Sequence, residues 1–80
     1  MFERYKNRGG DSNIKMFEIT YDQIKIMFND NSVYTYPENK VTSYHFENMI
    51  NLAKRGEGLN AYINKNHTVK MGYSKKEFIR

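Results

Sequence analysis

The side chains best suited to recognition chemistry are Tyr34 and Tyr36, one residue apart in Val33-Tyr34-Thr35-Tyr36. On a β-strand, residues two apart share a face. Two flat rings and two hydroxyls therefore point one way. Such a pair either seals a small core or forms a platform on which bases stack. A sheet has one face to cover, and Val33 and Thr35 offer it little volume, which favours burial. A second resource is the cation set Lys54, Arg55, Lys65, Lys70, Lys75, Lys76 and Arg80. Lysines and arginines hold phosphates by displacing counterions. If the tail folds back over the helices these charges gather on one face; if it is loose they stay dispersed.

The residues of acid–base, nucleophilic and metal chemistry do not assemble into a set. The carboxylates Glu18, Asp22, Asp30, Glu38 and Glu47 are scattered singly, whereas paired-carboxylate catalysis needs two that converge. His45 falls near the apolar stripe of a helix, where a lone histidine is a partnered core-edge residue more often than a ligand. His67 sits among Lys65, Asn66 and Thr68. The two histidines have no third ligand at a recognisable spacing. Gly56-Glu57-Gly58 is too short for a phosphate-binding loop and follows a helix, so it reads as a helix-ending turn. Asn60, just after it, reads as a cap or a bond pinning two helices. These readings predict a non-enzymatic protein with no metal and no cofactor.

Eighty residues make one small domain with a thin core. Such a chain has more room to present a surface than to enclose a deep catalytic cleft. There is no cysteine, which excludes disulfides and thiolate metal sites and suits a reducing cytoplasm. No apolar run is long enough to cross a bilayer, so no membrane partner is expected. Met1 to Gly10 lacks the apolar stretch of a secretory signal. Ten asparagines, nine lysines and seven isoleucines stand against four arginines. That usage favours A/T-rich codons and hints at a bacterial or phage genome.

The net charge is +4, but its distribution carries more meaning. Residues 1–10 hold three basic and one acidic side chain, and residues 65–80 hold five and one. The intervening body holds five basic and seven acidic. Basic ends either grip phosphate backbones or keep a small protein soluble.

The elements that must position these groups follow from periodicity. Residues 1–12 have no period and read as an N-terminal arm ending at Gly9-Gly10. Alternation begins at Asn13, with Phe17, Ile19 and Tyr21 on one face. After a tight turn at Asp22-Gln23, Ile24, Ile26 and Phe28 alternate with Lys25 and Met27. Asn29-Asp30-Asn31-Ser32 makes a second turn, and Val33 to Tyr36 a third strand that Pro37 ends. The period then becomes helical through Val41, Tyr44, His45, Met49, Leu52 and Ala53, widened by Phe46 and Ile50. Asn39, Thr42 or Ser43 caps its start. Lys54 and Arg55 occupy its last turn, and Gly56 stops it. A short second helix runs from Leu59 to about Asn66. Residues 69–80 read as an added strand, a short helix or a docked basic tail. The expected fold is α+β, a three-stranded antiparallel meander covered on one face by a main helix and a short second helix.

From Ser12 to about His67 the chain resembles the KTSC domain, a family named for its place at the C-terminus of some lysyl-tRNA synthetases. The resemblance rests on the start Ser12-Asn13-Ile14, the hairpin entry Tyr21-Asp22 and the central Tyr34-Thr35-Tyr36. It continues through the helix carrying Tyr44, Met49, Leu52 and Ala53, then Gly56, Leu59-Asn60 and Ile63. Ser32 stands where the family places a glycine, and Leu59 where it places an aromatic residue. The resemblance implies an accessory module that also occurs alone in bacterial and phage proteins. RNA binding has been suggested for that family, and it brings no catalytic residues with it.

Two functional expectations result. The first is a small nucleic-acid-binding module for RNA or single strands, using Tyr34, Tyr36, Lys54, Arg55, Lys65, Lys70, Lys75 and Lys76. The second is a protein-interaction module of phage or mobile-element type. It would inhibit a host nucleic-acid-processing or defence complex through an edge strand and the apolar Tyr73, Phe78 and Ile79. As an oligomer it would instead sequester a nucleotide signal. An uncovered sheet edge or face also permits a homo-oligomer.

Overall fold

The computed structural model describes residues 1–10 and 12–79. Alternating apolar residues and short polar turns build one antiparallel sheet of five strands, in the order β1-β2-β3-β4-β5. These are β1 Glu3–Arg4, β2 Ile14–Ile19, β3 Gln23–Phe28, β4 Ser32–Pro37 and β5 Lys75–Phe78. Between β4 and β5 the chain makes four helices, α1 Glu38–Val41, α2 Ser43–Arg55, α3 Leu59–Lys65 and α4 His67–Lys70. The α+β class and the antiparallel sheet are as expected. The number of strands is not: five replace the expected three.

Both added strands are edges, and that explains why no pattern announced them. An edge strand pairs through its backbone and needs little apolar alternation. Glu3 pairs with Phe17 and Arg4 with Met16, so the arm supplies β1. At the other side, Tyr34 pairs with Lys76 and Thr35 with Lys75. Of the tail's three expected forms, two occur together: helix α4 and strand β5.

Register decides which side chains meet the helices. Ile24 is opposite Tyr36, and Ile26 opposite Tyr34. Ile26 also faces Phe17, and Ile24 faces Ile19. A register shift between Ile14 and Met16 puts Ile14 on the same side as Phe17, which strict alternation would forbid. Tyr21 does not continue this face; it stands exposed in the β2–β3 turn. The helices cover the sheet with Val41 of α1, Phe46, Met49 and Ala53 of α2, Leu59 and Ile63 of α3, and Val69 of α4. The α2 stripe is therefore centred on Phe46, Met49 and Ala53. Tyr44, expected on it, is exposed.

Local chemistry sets the helix limits. Of the three expected caps, Thr42 acts: its side chain accepts from the His45 N–H. Gly56 ends α2 at φ +80, with its N–H on the Leu52 carbonyl. The N-terminal arm closes over this corner. The Tyr5 N–H donates to the Lys15 carbonyl and the Arg8 N–H to the Gly56 carbonyl. The Tyr5 hydroxyl accepts the Leu59 N–H at 3.3 Å, satisfying a donor at the start of α3. Burial raises the Tyr5 phenol above its ordinary value, offset in part by that bond.

No helix in the described residues is long and apolar enough to cross a membrane.

Candidate recognition cleft

The two central tyrosines have different fates. Tyr36 is 2 % exposed and belongs to the core, with Ile24 opposite it on β3. Burial, then the neighbouring Tyr34 and Tyr73 side chains, push its phenol far above the ordinary tyrosine range. Tyr34 is only half-buried, packed on the rim of that core. The two rings lie nearly parallel, with centroids 6.2 Å apart, as expected for neighbours two apart on a strand. Burial thus claims one member of the pair and leaves the other at the surface.

Tyr34 opens onto a cleft of about 610 Å³ between the sheet and the α3–α4 segment. Its walls are unlike in chemistry. On the aromatic side, Phe28 meets Tyr34 edge to face at 5.3 Å and Tyr73 meets it at 4.8 Å. Opposite lie Asn60, Ile63 and Asn64 of α3, while Asn13 and Asn29 close the end near the β3–β4 turn. Four primary amides around aromatic walls make a surface able both to donate and to accept hydrogen bonds. The volume lies within the range of small-ligand sites.

The charges at the mouth are arranged with some order. The Lys76 ammonium lies 5.3 Å from the Tyr34 ring centre and 5.4 Å from that of Phe78, the geometry of cation–π attraction. The Tyr34 hydroxyl beside it raises the Lys76 ammonium above its ordinary value. Lys70 lines the same cleft. The one carboxylate on its lining among the described residues, Asp30, accepts from the Ser32 N–H at 2.9 Å and the Ser32 hydroxyl at 2.6 Å. These bonds hold it below the usual carboxylate range.

The expected cation set does not form one face. Lys70 lines the cleft, and Lys76 lies beside it over the Tyr34 ring. Lys75 projects from the other side of the sheet, opposite Thr35, and pairs with Glu77 at 3.6 Å. Lys54 and Arg55 lie at the far end of α2, where the Arg8 Nε donates to the Arg55 carbonyl. Lys65 ends α3 and is not on the cleft lining. Arg80 lies outside the described residues. The reason is strand polarity: neighbours such as Lys75 and Lys76 must face opposite sides of a sheet.

Asn60 also departs from its expected role. Gly58 precedes α3, with no side-chain cap, and Asn60 points its chemistry to the cleft. The residue that pins α2 to α3 is Tyr62. Its hydroxyl accepts from Asn48 Nδ2 at 3.1 Å and bonds His45 Nδ1, which accounts for His45 as a partnered core-edge side chain. His67 is exposed at the start of α4. Among the described residues, no three His, Cys, Asp or Glu side chains group to hold a metal ion.

Sequence reasoning places Phe28 against the tyrosine pair, as found, but missed Tyr73 as a partner of Tyr34. It also missed the four amides as a set. Only the pairing of β5 with β4 brings Tyr73 to Tyr34, and no spacing along the chain encodes that pairing.

Compared with family models, with curated proteins and with solved structures, the chain matches none.

Proposed function

We propose that this protein is a non-enzymatic module that binds RNA or other single-stranded nucleic acid, with the Tyr34 cleft as its base-binding site. The observation that carries the reading is the Tyr34–Tyr73 wall, set against Asn60 and Asn64 and flanked by the cations Lys70 and Lys76. A splayed base offers a π-face and a hydrogen-bonding edge, and single-strand recognition uses aromatic rings and polar side chains for those two features. Aromatic contact to a base contributes roughly 1–3 kcal/mol. Amides serve the edge because each presents a donor and an acceptor together. The lysines serve the adjoining phosphates. The likeness of Ser12-Asn13-Ile14, Tyr34-Thr35-Tyr36 and Ile63 to the KTSC pattern supports the same reading.

Tyr36 also borders the cleft, but it is almost wholly buried and has a structural part in this scheme, supporting the wall. Lys54, Arg55, Lys65 and Lys75 contribute to the general positive field and make no cleft contact. The protein acts by occupying or presenting a strand; no step of bond making is assigned to it.

The test is a titration with single-stranded RNA at several salt concentrations, followed by tyrosine fluorescence and anisotropy. Binding at micromolar concentration that weakens as salt rises, with a change in tyrosine emission, is the expected result. No binding, or binding indifferent to salt, overturns the proposal. Capture of a host protein that persists after nuclease treatment, without RNA binding, would favour the protein-interaction reading. The exposed Phe78, last residue of β5, and Ile79 after it are the surface that reading would use.

A further inference from the structure

Asn29 also borders a second groove of about 300 Å³, lined otherwise by Arg4, Tyr5, Lys6, Asn7, Ile14 and Lys15. The two cavities share Asn29, and their linings include the adjacent residues Asn13, just before β2, and Ile14, its first residue. The saddle between them is held by the Asn29 N–H donating to the Asn13 carbonyl at 2.7 Å. Their linings differ. The first is aromatic and amide-rich. Among the described residues, the second carries three cations and no carboxylate. The arm makes this possible, since β1 pairing and the Tyr5–Lys15 backbone bond bring Arg4 and Lys6 beside Lys15.

We infer that the cleft and this groove form one continuous track for a single strand, with a base held at Tyr34 and the following phosphates passing over Asn29 onto Lys6, Lys15 and Arg4. This rests on the base-binding reading of the cleft and extends it by naming the ligand's length and path. A free mononucleotide would fill the first cavity and leave the second unused. A strand of about four nucleotides, the short end of single-strand site sizes on small folds, would fill both. Lys15 is already oriented, its ammonium donating to the Asn31 side chain at 2.9 Å, with its remaining protons open to a phosphate. Asp30, the carboxylate beside the path, is occupied by Ser32 and stands at the cleft side of the saddle.

The experiment compares nucleoside monophosphates with mixed-sequence single-stranded RNAs of two, four and six nucleotides, by calorimetry at several salt concentrations. Wild-type protein and the double variant Lys6→Ala/Lys15→Ala are used, both side chains being exposed. Affinity is expected to rise with length up to about four nucleotides and then level. The double variant is expected to bind the tetranucleotide about tenfold more weakly, with a salt slope reduced by about 0.7 per lost phosphate contact. It should bind mononucleotides as wild type does. If the tetranucleotide binds no better than a mononucleotide, or the double variant binds it with unchanged affinity and salt slope, the track is wrong and the cleft reading stands. Absence of binding at every length overturns the cleft reading itself. The charge-reversal variant Lys15→Glu serves as a second check: it should weaken the tetranucleotide further, and equal binding by it contradicts the track.

Discussion

The rings of Tyr34 and Tyr73 meet edge to face with their centres 4.8 Å apart, although 39 positions separate them in the chain. This contact closes the fold and builds the site in one step. It holds the segment before β5 against β4, and it turns a lone half-buried tyrosine into a wall. Aromatic pairs of this geometry contribute about 0.5–1.5 kcal/mol beyond the area they bury. Tyr73→Ala should therefore cost stability modestly, about 1–2 kcal/mol, and weaken RNA binding as well. Urea unfolding paired with RNA titration separates the two effects.

Tyr34 and Tyr36 should respond very differently to truncation. Removing the Tyr36 ring empties part of the core, and such changes cost about 3–5 kcal/mol. A domain of this size has roughly 4–12 kcal/mol in all, so Tyr36→Ala should lose a large share of its stability. Tyr34→Ala should remain folded and lose roughly 1–3 kcal/mol of RNA affinity. Circular dichroism in urea checks the first statement and anisotropy the second. A folded Tyr36→Ala protein with weak RNA binding would mean that Tyr36 reaches the ligand.

Gly56 tests the coupling of arm to helix. A Cβ there would lie 2.6 Å from the Lys6 Cβ, and the backbone is at φ +80. Both the contact and the left-handed conformation penalise a side chain. Gly56→Ala should destabilise by more than about 1 kcal/mol, whereas Gly58→Ala, whose Cβ meets only Leu52 at 3.5 Å, should cost about 1 kcal/mol from conformation alone. Thermal melts rank the two. In the Gly56 variant, amide exchange at Leu59 should also quicken, because its N–H depends on Tyr5 of the same arm.

High pH should unfold the protein through its buried phenols. Tyr36 and Tyr5 are both raised, Tyr36 the more strongly, and in each case burial is the main cause. A raised folded value means that the unfolded chain ionises first. Stability is thus complete below the unfolded tyrosine value, near about pH 10, and falls as pH rises beyond it toward the folded value. Urea midpoints measured from neutral pH upward should decline above about pH 10. Tyr36→Phe should flatten that decline, and an unchanged decline would show that Tyr36 ionises while folded.

The sequence revealed the parts whose energetics are local. Alternation at Ile24, Ile26 and Phe28 marks β3 because a half-buried strand requires it, and Gly56 marks the end of α2 because a left-handed residue must sit there. Neither β1 nor β5 carries such a signal. Glu3-Arg4 and Lys75-Lys76-Glu77 are charged and partly exposed, and their place depends on backbone bonds to strands far along the chain. The site shares that fate. Tyr34 is legible as a candidate, but its exposure depends on how far α3 and α4 extend across the sheet, and no periodicity encodes that distance. Ile14 and Phe17, three apart, share the core only because the strand shifts register between them, and that shift has no glycine to announce it.

The most direct test of the account follows the backbone amide and tyrosine ring resonances during titration with a single-stranded RNA tetranucleotide. The account predicts the largest shifts at Tyr34, Tyr73, Asn60, Asn64 and Lys70, continuing through Asn29 to Lys15. Shifts confined to the opposite sheet face, at Lys25, Thr35 and Lys75, or none at all, would contradict it.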